Sequence, residues 1–202
     1  MKNEGLKRSA DCILAAGGLV LLLPVLAGAA AVCRLSGEGI FYRQERIGRE
    51  GKPFQIFKFR TMRRDAPIRP REELQDPSGY FIRGGAFLRS TGIDELPQLW
   101  NVLKGEMSLI GPRPLLASEG GIHRMRQRAG VYALRPGITG LSQLCGDPPA
   151  RCKAALDRLY LENRSAGMDG VIVLATMGLL YGRQKEKVKI SFSKISDFLR
   201  NF

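Results

Sequence analysis

The chain has 202 residues and a net charge of +13, enough for one modest domain with a core of its own plus an accessory element, and too little for a second full domain. The charge calls for anionic partners, but no zinc-finger spacing, stacking-aromatic pattern or unbroken basic helix accompanies it, so no nucleic-acid partner is expected. Cys12, Cys33, Cys145 and Cys152 lack C-x-x-C spacing and His123 is the single histidine, with no motif around it, which argues against a structural zinc site and a histidine-based catalytic set and points to free thiols in a reducing compartment, with His123 at the surface.

Lys2, Lys7, Arg8 and Asp11 precede an uncharged stretch, 12–33, long enough as a helix to cross the ~30 Å hydrocarbon core of a bilayer. Hydropathy alone makes this a spanning helix. A signal peptide fits less well, because the apolar region is longer than such segments carry and holds Pro24 at its middle. A re-entrant hairpin is the third reading. Pro24 cannot donate to the carbonyl of Val20 and its ring clashes there, so the helix kinks. Basic residues at both ends, with Arg34, Arg43, Arg46 and Arg49 after the run, favour both ends on the cytoplasmic side. On the residues alone, spanning and re-entrant readings both stand.

Beyond Arg34, residues 40–44 and 54–62 read as strands around a turn with Gly48, Gly51 and Pro53. In the second strand Phe57 and Phe59 share one face and Lys58 and Arg60 the other. Those two cations are either a solvated face or a phosphate or headgroup contact. Residues 63–85 are charged and proline-rich without a period, which reads as a long loop or a lid.

In 89–114, Leu96, Leu99, Trp100 and Leu103 recur at the spacing of one helix face, and Gly105 supplies a stop. Pro97 is tolerated in a first turn. Asp94 and Glu95 are therefore expected to open a short amphipathic helix, where the N-terminal dipole holds carboxylates ionised and favours a nearby phosphate. Acidic residues also decorate helix starts with no further role, but here Arg89 lies upstream with a planar fork suited to phosphate oxygens. Downstream, Arg113, stiffened by Pro112 and Pro114, suits a nucleotide or phosphate.

Residues 115–134 read as partly helical, interrupted at Gly120-Gly121, with Arg124, Arg126 and Arg128 on an exposed or membrane-facing surface. Arg135-Pro136-Gly137 makes a sharp turn. Residues 150–163 read as a helix, and 168–181 as an apolar run too short to span, either a core helix or an interfacial one. The tail, 182–202, alternates basic and apolar residues like an interfacial anchor.

DELPQLWNVLKG (94–105) and MSLIGPRP (107–114), with FQIFKFRTM (54–62), RPGITGLSQ (135–143) and a looser set of Asp157, Tyr160, Asn163 and Asp169, resemble the signature of the bacterial monotopic phosphoglycosyl transferases. The resemblance to these initiating sugar transferases covers about 7–182. It implies an α+β, membrane-associated fold: a re-entrant helix over 1–35 broken at Pro24, a mixed helical and short-strand catalytic domain over 36–182, and a basic amphipathic tail over 183–202. The catalytic domain is expected on the cytoplasmic face of a bacterial inner membrane.

The activity implied is transfer of a phosphosugar from a UDP-sugar to a polyprenyl phosphate such as undecaprenyl phosphate, with release of UMP, by a ping-pong scheme. Asp94 matches the nucleophile that forms an aspartyl-phosphosugar intermediate, and Glu95 its partner in the dyad, with both carboxylates at a Mg²⁺ site. An ionised carboxylate attacks phosphorus without a base, and Mg²⁺ offsets diphosphate charge. Arg89, Arg113, Lys58 and Arg60 are the candidate phosphate or nucleotide contacts. The basic charge suits an anionic phospholipid membrane as a further partner, and a homo-oligomer is left open. Gly92, Gly120-Gly121 and Asp147-Pro148-Pro149 depart from the pattern, which bears on sugar specificity and the C-terminal surface rather than on the reaction. The alternative is a membrane-attached scaffold that has lost catalysis, against which the intact dyad speaks.

Overall fold

Residues 4–67, 78–146 and 148–180 are described by a computed structural model. Lys2, the centre of the 63–85 loop, Asp147 and the basic tail lie outside the described residues. The apolar N-terminal run forms two helices, α1 (Glu4–Leu21) and α2 (Leu23–Leu35), bent by 66°. The break falls at Leu22, and Pro24 takes the first turn of α2, where a missing N–H costs no helical bond and the ring presses on the turn before it. Backbone bonds from Leu22 to Gly18 (2.9 Å) and from Leu26 to Leu22 (2.8 Å) carry through the bend. No single described helix is long and apolar enough to cross a membrane, whereas the bent pair together meets the length and composition for it.

The chain divides into two compact units, one drawn from Met1–Glu45 and Gln55–Gly105, the other from Arg46–Phe54 and Glu106–Phe202. In the first, α2 is part of the core: Ala29 and Cys33 pack with Phe59, Ile82 and Leu88, and Ile93 lies against them. Leu6, Ile13, Leu14, Val20 and Leu21 of α1 and Leu23 and Val25 of α2 stay exposed. Strands β1 (Phe41–Ile47) and β2 (Pro53–Phe59) form a two-stranded sheet. Phe59 is buried and stacks on Phe41 at 5.6 Å. Its expected partner on that face, Phe57, is only half-buried, with Arg43 and Lys104 over its ring at 5.0 and 5.9 Å as cation–π contacts.

A short helix, α3 (Gly85–Ser90), leads to α4 (Gln98–Lys104), which packs on α1. The Arg8 guanidinium of α1 donates to the carbonyls of Val102 (2.5 Å) and Leu103 (3.0 Å), satisfying two acceptors at the end of α4. The expected apolar face of this helix needs correction. Its inward side carries Gln98, Leu99, Asn101 and Val102, while Trp100 is 53% exposed. Asn101 sets the rotation: the Phe57 N–H donates to its Oδ1 (3.1 Å) and its Nδ2 donates to the Gln55 carbonyl (2.6 Å), so buried β2 backbone groups are paired by the helix.

In the second unit β3 (Ser108–Ile110) pairs in parallel with β4 (Gly137–Thr139), Ser108 opposite Gly137 and Ile110 opposite Thr139. The backbones beyond this pair nearly touch. A Cβ on Gly137 would lie 2.1 Å from the Gly111 nitrogen, so the glycines of IGPRP and RPGITG serve one crossing that no side chain fits.

Helix α5 (Gly120–Arg128) starts at the two glycines that were expected to interrupt it, and α6 (Leu141–Leu144), α7 (Ala150–Asn163) and α8 (Ala166–Leu180) follow. Ile110, Leu134, Leu144, Tyr160 and Ile172 form the core here. Helix α8 is both a core and a surface helix, with Ile172 buried and Val171, Val173, Leu174 and Met177 exposed. All four cysteines are free.

Candidate active site

Asp94 and Glu95 sit in a 3-10 turn, Ile93–Glu95, ahead of α4 rather than in its first turn. The bonds there run three residues back: Glu95 to Gly92 (3.1 Å), Leu96 to Ile93 (3.2 Å), Leu99 to Leu96 (3.0 Å) and Trp100 to Pro97 (3.0 Å). Pro97 has no N–H for the Ile93 carbonyl, so the tighter pitch takes over. Gly92 enters the turn at φ 73°, a conformation in which any Cβ is strained. This gives the departure at position 92 a local reason. Because α4 begins beyond the dyad, the pair lies outside its first turn, and the charges around it are those of neighbouring side chains.

Those side chains are Lys58 and Arg89. Lys58 Nζ donates to Glu95 Oε1 at 2.5 Å, with both side chains largely shielded from solvent. Arg89, at the end of α3, has its guanidinium over the Phe81 ring at 5.8 Å and its Nη1 3.0 Å from Met62 Sδ, contacts that hold it without neutralising it. Asp94 is 6% exposed. Burial, and secondarily the charge of Glu95, push its carboxyl up to about 6, while Lys58 and Arg89 pull it the other way. Lys58, Arg89, Asp94 and Glu95 thus form one electrostatic group.

Arg60 turns elsewhere within the same unit, donating to the Phe41 carbonyl at 3.3 Å and lying over Tyr42 at 5.6 Å. Arg113 belongs to the second unit, exposed between buried Pro112 and Pro114. Its carbonyl accepts a bond from Arg126 Nη1 at 2.7 Å.

Arg126, expected at the surface, is 2% exposed. Its Nε and Nη2 donate to Asp157 Oδ2 at 2.9 and 2.6 Å, and Ser142 Oγ donates to Asp157 Oδ1 at 2.9 Å. Desolvation raises the Asp157 carboxyl, and Arg126 and Ser142 oppose that rise. The pair therefore holds the Arg113 backbone from beneath. Periodicity places Arg126 on a helix but cannot show that its partner lies 31 residues on. The one sequence signal was Asp157 in the looser C-terminal pattern. The rest of that pattern is also hydrogen-bonded within the unit: Tyr160 donates to Asp169 Oδ1 (2.7 Å) and Ile110 O (3.3 Å), and Asn163 to Leu159 O (3.0 Å). His123 is half-buried rather than superficial, its Nδ1 against the Tyr132 hydroxyl and its Nε2 2.7 Å from the Leu116 carbonyl.

Asp157→Ala is expected to lower stability by about 3 to 5 kcal/mol, because it strands a buried guanidinium. Replacing Arg126 and Asp157 together by Met and Leu should recover most of that loss in thermal unfolding. A single mutant as stable as wild type would show that the pair carries no structural weight.

Among the described residues no group of three or more His, Cys, Asp or Glu could cage a metal ion. The dyad offers two adjacent carboxylates, which fits Mg²⁺ held by one or two protein oxygens with substrate phosphates and water filling the rest of its shell.

Bacterial sugar transferases, as a family, match residues 2–183. The chain is 36% identical over 203 residues to an uncharacterized sugar transferase of Haemophilus influenzae, covering 91% of this chain and 42% of that protein. It is 39% identical over 183 residues to a UDP-glucose:undecaprenyl-phosphate glucose-1-phosphate transferase of Caulobacter vibrioides, covering 85% of this chain and 68% of that protein. To the exopolysaccharide production protein ExoY of Rhizobium meliloti it is 36% identical over 193 residues, covering 85% and 83%. The chain thus spans about two fifths of the first of these relatives and most of the other two. With the match running through both units, the chain belongs to the bacterial sugar transferase family.

Proposed function

We propose that the protein transfers a sugar 1-phosphate from a UDP-sugar to a polyprenyl phosphate, releasing UMP. The observation that carries this reading is the burial of the Asp94 carboxyl in one group with Glu95, Lys58 and Arg89, where desolvation pushes it up to about 6: an oxygen nucleophile that is mostly ionised at neutral pH yet poorly solvated. Asp94 attacks the phosphorus bearing the sugar, the bond to UMP breaks, and the phosphosugar rests on the Asp94 carboxylate. The terminal oxygen of the lipid phosphate then attacks that phosphorus and frees Asp94. Arg89 and Lys58 offset the charge of the diphosphate, and Glu95 would hold Mg²⁺. When bound, the cation neutralises phosphate oxygens and steadies the departing UMP. Arg113 and Arg60 are proposed as further nucleotide or phosphate contacts. Relatives are named for glucose, galactose and N-acetylgalactosamine substrates, so the sugar has to be found by trial. A panel of UDP-sugars with Mg²⁺ and polyprenyl phosphate should yield UMP, lost on chelation, and a UDP-sugar alone should leave a phosphosugar mass on the peptide bearing Asp94. Failure of every sugar to release UMP would favour the inactive scaffold instead.

The lipid substrate requires a membrane, and we propose that the bent pair enters one leaflet and returns, holding the dyad at the cytoplasmic face of a bacterial inner membrane. Its 66° bend and the exposed leucines and valines flanking the break support this, as does the packing of α4 on α1 and of Ile93 on α2, which ties the dyad to the pair. Single cysteines at Glu4 and Ser36, with native cysteines removed, should react with an impermeant maleimide from the same side of sealed vesicles. Labelling from opposite sides would replace the re-entrant reading by a spanning one.

A further inference from the structure

We propose that Gln98 is a phosphoryl-binding residue, its side-chain amide donating to a non-bridging oxygen of the phosphosugar that Asp94 receives. Gln98 is 2% exposed, and its buried Nε2 has no hydrogen-bond partner among the described residues. A buried amide donor left unpaired is rare, because desolvation is not repaid, and it calls for a reason. The next inward amide on α4 shows the contrast. Asn101 spends both ends of its side chain on the β2 backbone, at 3.1 and 2.6 Å, so the architecture is already served. Gln98 opens α4 directly after the turn that carries the dyad, three residues after Glu95, the spacing at which side chains on a 3-10 turn lie over one another, and Asp94 and Gln98 are both buried polar groups of this short segment.

A neutral donor suits that place. A carboxylate there would repel the incoming phosphate, and another cation would pair with the dyad as Lys58 already does with Glu95. An amide does neither, and its bond strengthens as charge builds on the phosphoryl oxygens during attack. The inference deepens the proposed phosphosugar transfer and rests on it.

The test is Gln98→Met, which keeps length and removes the donor, followed in two measurements on the full chain in detergent. The free protein should melt at or above the wild-type temperature, since the unpaired donor is gone. Single-turnover labelling of Asp94 by a UDP-sugar should slow about a hundredfold. Gln98→Glu should stay folded and label more slowly still at neutral pH. A Met variant that labels within about twofold of wild type overturns the assignment. So does one that melts several degrees lower, since the fold would then depend on the amide. Failure of the underlying reading looks different: wild type itself takes no label from any UDP-sugar, and the assignment of Gln98 falls with it.

Discussion

Asp94→Asn is expected to lose turnover by at least about 10⁴-fold and, in the same molecule, to gain stability. The neutral amide keeps the shape of the side chain but cannot form the bond to phosphorus. The stability change follows from the direction of the pKa shift. In the folded state the Asp94 carboxyl titrates at about 6 against an ordinary 3.8, so between those values the folded protein keeps a proton that the unfolded chain has released. Stability therefore falls as pH rises through that window, and the loss persists above pH 6. A shift of this size corresponds to roughly 2 to 3 kcal/mol. Asparagine carries no charge to desolvate, so the mutant should unfold at a higher temperature than wild type at pH 8 without divalent cation, and at the same temperature below pH 4. A mutant less stable at pH 8 would mean that Lys58 and Arg89 over-compensate burial, and Asp94 would then not be a strained nucleophile.

The dyad was legible because its chemistry is written in neighbouring residues; its conformation was not. A helical spacing of leucines cannot distinguish bonds three residues back from bonds four back, and the arbiter was Pro97, whose missing N–H affects the Ile93 carbonyl rather than its own position. The rotation of α4 was hidden for a different reason. Leu99, Trp100 and Leu103 look like a face until Asn101 is seen to pair with β2, and a polar residue on an inward face reads from sequence as an outward one. Arg126 failed in the same way, since its charge is tolerable inside only with Asp157 beneath it. By contrast the break near Pro24 and the span of α7 follow from local rules, covalent in one case and periodic in the other. The glycines of IGPRP and RPGITG fall between these cases. Their rigidity was readable, but not the fact that they meet each other.

Lys58→Met is expected to move the pH dependence of catalysis, which separates two roles the residue could have. Lys58 stands 2.5 Å from Glu95 and lowers the Asp94 carboxyl, so removing it takes a cation away from the two carboxylates and raises the Asp94 pKa further. The rising limb of kcat/KM should then lie at higher pH than in wild type. Below the new pKa each unit of displacement withholds a tenfold share of the nucleophile, so the mutant should be most impaired near pH 6 and recover in part by pH 9. Methionine fills the same volume on β2 and leaves the strand in place. If Lys58 acts only as a phosphate clamp, the loss will be the same factor at every pH and will show in KM, because a missing contact to the diphosphate does not depend on the protonation of Asp94. A uniform loss would thus remove Lys58 from the electrostatics of the nucleophile and place it on the substrate.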